Sequence, residues 1–299
     1  MQEGIEFIFV NDCTKDNSIE ILKNTLENYP QRKSQVKIIH HEVNQGLTGA
    51  RNTALKYARG EYITHCDSDD WVDLKLYENL YNTAIKNDSD VAIFSIKLME
   101  SPYDEVKKIC SKEYSSIDSF FNDNFATENF NSLVNKMFHR RIALNNDIIA
   151  PATITFGEDL LRTTQMLLRC SSIAFCNTVF YYYFKGNIGA STHTWSEKNF
   201  IDFSEVVKIL EPILERRKPE LIKTLWGYWL IAAVKTASVN KKFYKVVLRK
   251  YFKPILHDKR LSKMKRGVIS LSYFSIHLAH ICCLLQLQFK HKLKINFKR

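Results

Sequence analysis

The sequence predicts an α/β protein: an open, mainly parallel sheet with helices on its faces, followed by a mostly helical C-terminal region. Three observations carry this. Over the first hundred residues, short β-branched and aromatic runs alternate with segments of helical apolar spacing. Strands separated by helices of about 10 to 15 residues call for crossover connections and therefore parallel pairing. Two of the strand-like runs also end in carboxylates, at the sheet edge where open α/β folds bind ligands.

The elements follow in order. "IEFIFV" (5–10) reads as a buried strand, "SIEILKNTLENY" (18–29) as a helix and "VKIIHH" (36–41) as a strand. "LTGARNTALKYA" (47–58) is a helix closed by Arg59 and Gly60. "EYITHC" (61–66) is a strand, "LKLYENLYNTAIKN" (74–87) a helix and "DVAIFSI" (90–96) a strand. Beyond residue 97 the rhythm breaks. "SLVNKMFHRRIAL" (132–144) and "EDLLRTTQMLLR" (158–169) have helical spacing, and "SIAFC" and "VFYYYF" read as two short strands. From Ser196 onward the pattern is helical throughout. These shifts divide the chain into 1–97, 98–195 and 196–299.

Hydrophobic residues at 45% and charged residues at 25% are ordinary for a globular protein. The net charge of +11 is concentrated at one end: residues 241–299 hold 16 Lys and Arg against a single acid, Asp258, so the rest of the chain is acidic overall. A basic tail on an acidic body points to an anionic partner. The seven cysteines form no CxxC pair, which excludes a zinc ribbon and a disulfide framework and fits a reducing compartment. No basic stretch followed by an apolar run opens the chain, so no signal peptide is expected.

The chemistry concentrates at "ITHCDSDDW" (63–71). Asp67 and Asp69, two apart in an extended segment, send their side chains the same way. Paired hard oxygen ligands suit Mg²⁺ or Mn²⁺, which keeps waters and shares itself with substrate phosphates. A polar turn with helix caps is the plainer explanation of such a cluster, and Asp70 and Asp73 fit it well. Asp12, in "VNDCTKD", ends the first strand at the same edge.

The surroundings favour the metal. "VNDCTKDNS" (10–18), "NQGLTGARNTAL" (44–55) and "GEYITHCDSDDW" (60–71), in this order, closely resemble the inverting family-2 glycosyltransferases with the GT-A fold. "VNKMFHRR" (134–141) and "FGEDLLRT" (156–163) match acceptor-side elements of bacterial members, and "VFYYYFKGNIGAS" (179–191) looks like the strand pair closing that half. The resemblance covers roughly residues 5 to 195. It implies a Rossmann-like sheet flanked by helices and transfer of a sugar from a nucleotide-sugar donor, commonly UDP-linked, to a glycan or lipid-linked acceptor with inversion. Position by position, Asp12 matches the acid that bonds the nucleobase. Asp67 and Asp69 match the DxD that holds the metal on the diphosphate, and Asp67 also faces the donor. Arg51 and Asn52 match the donor-pocket "ARN", where Arg51 would meet a phosphate or support Asp12. Asp159 matches the catalytic base, with Glu158 beside it.

Two departures stand out. The family opens with a strand of the type "VSVIIPVYN" and a helix ahead of the strand equivalent to 5–10, and here Met1 comes only a few residues before that strand. The resemblance therefore implies a chain short of a central strand, poorly stable and impaired in turnover, so a relative that only binds nucleotide is an alternative. Cys13 also replaces the glycine usual in "DDGS", which implies a perturbed loop.

At the other end, "GVISLSYFSIHLAHICCLLQLQF" (267–289) has no charged residue and is flanked by "KMKR" and "KHKLK". Its serines, histidines and glutamines favour an amphipathic helix on an anionic membrane surface over a spanning or a simply packed helix. Nucleic acid is a weaker candidate, since no nucleic-acid motif accompanies the basic residues. His193 is a further candidate metal ligand, though a lone histidine is more often structural. The expected location is the cytoplasmic side of a bacterial membrane, peripheral, in polysaccharide assembly.

Overall fold

The computed structural model describes residues 4–101, 104–109, 112–185, 196–236, 241–283 and 285, which fall into two compact units. His193 lies outside them, as do Cys110, Leu284 and 286–299.

The first unit comprises Met1–Phe121 and Glu128–Ile188. It begins with β1 (Phe7–Asn11), α1 (Ser18–Glu27) and β2 (Val36–His40), and β1 and β2 pair in parallel, Phe7 opposite Val36. No residue of 4–47 is fully buried. α2 (Gly46–Tyr57) leads to β3 (Tyr62–Thr64), β4 (Trp71–Val72), α3 (Leu76–Lys86), β5 (Val91–Ser101) and β6 (Asp104–Ile109). α4 (Ile117–Asn124), α5 (Glu128–Asn131), β7 (Lys136–His139), α6 (Arg140–Ala143), α7 (Glu158–Leu167) and β8 (Ile173–Phe184) complete it.

The second sheet is mixed, in the order β3-β7-β5-β8-β4, with β6 on β5. β5 and β8 pair in parallel, while β7 runs antiparallel to both neighbours, β3 and β5. β7 corrects the helical reading of 132–144 over Lys136–His139, while Arg140–Ala143 of that segment is helical as α6. Lys136, Met137 and Phe138 are all buried between two neighbouring strands, so the segment lacks the in–out alternation that marks a half-buried strand. Likewise "SIAFC" and "VFYYYF" are one strand, continuous across a register shift opposite Phe94 and Ser95. The core lies between this sheet and α3: Leu76, Leu80 and Ala84 pack on Ala92, Phe94, Ile96, Met137 and Tyr181. Burying a side chain of Leu or Phe size stabilises by about 1.5–3 kcal/mol, so this cluster fixes the frame on which the β3 and β8 ends are mounted. The Lys136 ammonium, buried with it, donates to the carbonyls of Asn129 and Ser132 and to Asn135 Oδ1, at 2.6–2.8 Å. Burial brings its pKa down to about 7.

The second unit comprises Asn122–Thr127 and Gly189–Arg299. Its described residues form α8 (Glu197–Arg217), α9 (Ile222–Thr236), α10 (Lys241–Leu256) and α11 (Lys263–Phe274), then a helical stretch over 276–283. α9 is apolar nearly all round and is the central helix, as its burial requires. Trp226 stacks on Tyr251, and Trp229 donates from Nε1 to Ser204 Oγ at 2.9 Å. Leu261 packs close against α9 at Gly227, where a Cβ would stand 2.5 Å from Leu261 Cδ1. The 267–289 segment is not one helix, because the backbone turns extended at Ser275 (φ −153°, ψ 117°). No described helix is long and apolar enough to cross a membrane.

Candidate active site

Two groups of the expected residues come together, both within the first unit. The first is around Asp12, just past β1. Its Oδ1 accepts from the Gln45 backbone N–H at 2.8 Å and faces His41 Nδ1 at 2.7 Å. His41 Nε2 reaches Thr53 Oγ1 at 2.8 Å, and Asn44 Nδ2 donates to the Asp12 carbonyl. Burial pushes the Asp12 carboxyl up, but the bonds from His41, Gln45 and Gly46 outweigh it and hold the group below its ordinary value. Asp12 is thus a fixed anion at the start of α2. The loop behind it puts Cys13 at φ 61°, in the left-handed region, with Sγ 3.3 Å from the His41 carbonyl.

The second group is gathered by Arg51. The α2 segment that carries it lies close to the 150–154 loop: Thr48 Oγ1 donates to the Ile154 carbonyl and Asn52 Nδ2 to the Ala150 carbonyl. From there the buried guanidinium donates from Nη1 to Asp159 Oδ1 at 2.6 Å and from Nη2 to Asp67 Oδ1 at 3.1 Å, with Glu158 Oε1 at 3.7 Å. Asp159 and Glu158 sit in the first turn of α7, where the helix dipole favours anions. Gly157, at φ 83°, makes the sharp entry into that turn. Asn52 belongs to the same network through Arg162, whose Nη2 donates to Asn52 Oδ1. Arg51 therefore faces Asp67, Glu158 and Asp159 rather than Asp12.

The electrostatics follow from burial. Desolvation raises Asp67, and Asp159 and Asp69 add to the rise against the pull of Arg51. Desolvation and then Asp159 push Glu158 up to about 7. Desolvation works against the Arg51 cation, but Asp159, Asp67 and Glu158 together raise its pKa and keep it charged. Arg162 is brought down to about 10 by burial and by Arg51. His65, at the end of β3, falls to about 3 by burial and then by Arg51 and Arg162, and so is neutral.

The acidic run divides by role. Asp70 accepts from Tyr181 Oη at 2.6 Å and from the Phe184 N–H at 2.8 Å; Asp73 accepts from the Phe180 N–H at 2.7 Å. Both tie the run to β8. Tyr181 also takes the Asp67 N–H at 2.9 Å, which fixes where Asp67 starts. Asp67 keeps Oδ2 outside these bonds, and Asp69 is exposed. Among the described residues no cluster of three or more His, Cys, Asp or Glu is arranged to hold a metal ion. Two carboxylates are the part of a Mg²⁺ or Mn²⁺ shell that a diphosphate and water complete, so Asp67 and Asp69 fit such an ion as partial ligands.

Sequence reasoning missed His41, Arg162 and Tyr181. Only Arg162 left a signal, four residues after Glu158 on a helix and so on the same face. His41 and Tyr181 act across long sequence separations.

A parallel strand pair and a mixed sheet, each with a strand that ends in a carboxylate, together with an anion-lined helix N-terminus, match one class: the GT-A fold. The Staphylococcus aureus TarS 1–349 structure in complex with UDP-GlcNAc matches it with a TM-score of 0.62, at 16% identity, over 97% of this chain and 83% of that one. Residues 1–146 match the model of Glycosyl transferase family 2, and this N-terminal part of the chain is of that family's type. It is 30% identical over 183 residues to the poly(ribitol-phosphate) beta-glucosyltransferase of Bacillus spizizenii, covering 61% of this chain and 27% of that protein. It is 28% identical over 192 residues to the cholesterol galactosyltransferase of Borreliella burgdorferi, covering 60% and 52%. The chain thus spans about half or less of the length of these two relatives.

Proposed function

We propose that this protein is a glycosyltransferase that moves a hexose or N-acetylhexosamine from a UDP-linked donor to a glycan or lipid-linked acceptor with inversion, in polysaccharide assembly at the inner face of a bacterial membrane. The observation that carries it is the Arg51 bridge between Asp67 and Asp159. It couples the end of β3, where a donor diphosphate would lie, to the first turn of α7, where a base would act. The relatives' glucosyl and galactosyl transfers and the UDP-GlcNAc complex of TarS support the donor class.

In this reading Asp12, held anionic and oriented by His41 and Gln45, accepts from the nucleobase. Asp67 and Asp69 would hold Mg²⁺ or Mn²⁺, which would neutralise charge on the diphosphate. Asp159 takes the proton of the acceptor hydroxyl. Arg51 aims that carboxylate, and Asn52 with Arg162 braces the same wall. Glu158, raised by burial, is the neighbour that shares the proton load.

The test is transfer from UDP-glucose, UDP-galactose and UDP-GlcNAc by the parent and by Asp159→Asn, with UDP binding measured in parallel. A variant lacking its general base loses about 10²- to 10⁴-fold in rate with donor affinity nearly intact. Transfer by the variant at the parental rate moves the role to Glu158. UDP binding with no transfer in the parent assigns the chain a nucleotide-binding role instead.

A further inference from the structure

The end of the second unit turns an apolar face to solvent. α11 buries Val268, Ile269 and Ser272 and stops at Ser275; helix resumes over 276–283. This last stretch has two sides. On one, Ala279 and Cys283 are buried, and His280 Nδ1 lies 2.7 Å from the Val234 carbonyl of α9. On the other, Leu278, Ile281 and Leu285 are 48%, 51% and 53% exposed, at the three- and four-residue spacing of one helical stripe. Immediately ahead of it, Tyr273 and Phe274 are 53% and 84% exposed. Single exposed apolar residues are ordinary; five within thirteen residues mark an interaction surface.

Charge selects the occupant. α10 meets this stretch at its first residue, where Lys241 Nζ lies 3.4 Å from His277 Nε2, and it exposes Lys245, Arg249 and Lys253. The segment 241–299 carries 16 Lys and Arg, and its one acid, Asp258, is already bonded to Arg260 at 2.8 Å and to Thr224. A second copy of the chain would set this charge against itself. An anionic bilayer supplies both an apolar medium and the counter-charge.

We propose that this face docks on an anionic lipid surface. Phe274, Leu278, Ile281 and Leu285 enter the headgroup–acyl boundary, and the basic residues of α10 meet lipid phosphates. The docking needs no spanning helix and does not depend on the transfer chemistry.

The experiment is cosedimentation of the full chain with phosphatidylglycerol–phosphatidylcholine vesicles and with phosphatidylcholine vesicles, at low and raised salt. The parent is compared with Leu278→Ser/Ile281→Ser and with Lys245→Glu/Arg249→Glu, each checked by its melting curve. All four positions are exposed, so both variants keep the parental melt. The expected result is binding of the parent to anionic vesicles only, weakened by salt, with either variant lowering the partition roughly tenfold or more. Equal binding to both vesicle types, or variants that partition like the parent, overturns the proposal. A lipid-free parent that dimerises while Leu278→Ser/Ile281→Ser stays monomeric overturns it in favour of a second copy. Duplex DNA bound in place of vesicles overturns it in favour of nucleic acid.

Discussion

Arg51 on α2 and Asp159 on α7 are 108 residues apart in the chain and 2.6 Å apart in space. The same guanidinium reaches Asp67 at 3.1 Å, so one buried cation joins the segment after β3 to the first turn of α7. Three carboxylates around one cation leave the cluster net negative, and the cluster depends on that cation.

Arg51→Ala leaves Asp67, Glu158 and Asp159 facing one another. Breaking a buried ion pair by removing one partner costs about 3–5 kcal/mol, and denaturant unfolding measures it. Arg51→Lys keeps the charge, but a point charge cannot fork to two carboxylates. It is expected to fold and to lose kcat while retaining UDP affinity. Parental kcat in Arg51→Lys would show that the bridge does no positioning.

Glu158 gives a pH signature. Its folded value of about 7 lies above the ordinary 4.5, because burial and then Asp159 oppose ionisation. The native state binds this proton more tightly than the unfolded chain. The stabilisation is therefore full below about 4.5 and is lost as pH rises through about 7. Thermal melts of the parent and of Glu158→Gln are expected to converge at the acid end and to separate toward neutral pH, with the variant the more stable. Profiles that run parallel across this window would remove Glu158 from the buried cluster.

Asp69 and Asp70 are adjacent and are expected to behave differently. Asp70→Ala strips the partner from the buried Tyr181 hydroxyl and from the Phe184 N–H, at about 1–3 kcal/mol for each buried unsatisfied group. Asp69→Ala, at an exposed position, leaves the melt within about 0.5 kcal/mol of the parent and weakens UDP binding in Mg²⁺ or Mn²⁺. EDTA should reduce the parent's UDP affinity to the level of the Asp69 variant. Chelator-independent binding would refute the metal assignment.

Cys13 sits at φ 61° in the loop that orients Asp12. A left-handed conformation costs a residue with a Cβ about 1–2 kcal/mol, and glycine gives back about 0.4–1 kcal/mol of this through unfolded-state entropy. Cys13→Gly is expected to stabilise the chain by about 0.5–1 kcal/mol, the bond to the His41 carbonyl being a weak one. A lower melting temperature for the variant would mean that this thiol contact outweighs the strain.

The expectations divide by the range of the interaction behind them. α2, α3 and α7 were legible because apolar spacing and a glycine or acid at the helix start are local signals. Arg51, Asn52, Asp67, Glu158 and Asp159, which the fold brings together, were named through motif order. β7 was not: its strand character comes from β3 on one side and β5 on the other, and a strand buried on both faces shows no alternation. β8 was read as two strands because the register shift opposite Phe94 and Ser95 interrupts its pattern. The apolar spacing of α1 was legible too, yet none of 4–47 is buried, since spacing says which face is apolar and not what covers it.

The sequence by itself determined the class of element along most of the chain, the GT-A family pattern, the acids at the sheet edge and the basic C-terminal segment. Each of these is written in neighbouring residues or in composition. Only the tertiary structure decided that Arg51 answers Asp67 and Asp159 rather than Asp12, that Asp70 and Asp73 serve β8 while Asp69 faces solvent, and that 267–289 breaks at Ser275. A guanidinium or a carboxylate goes to whichever counter-charge the fold brings within about 3 Å in a low-dielectric site. Those partners lie up to 114 residues away along the chain, beyond the reach of any local pattern.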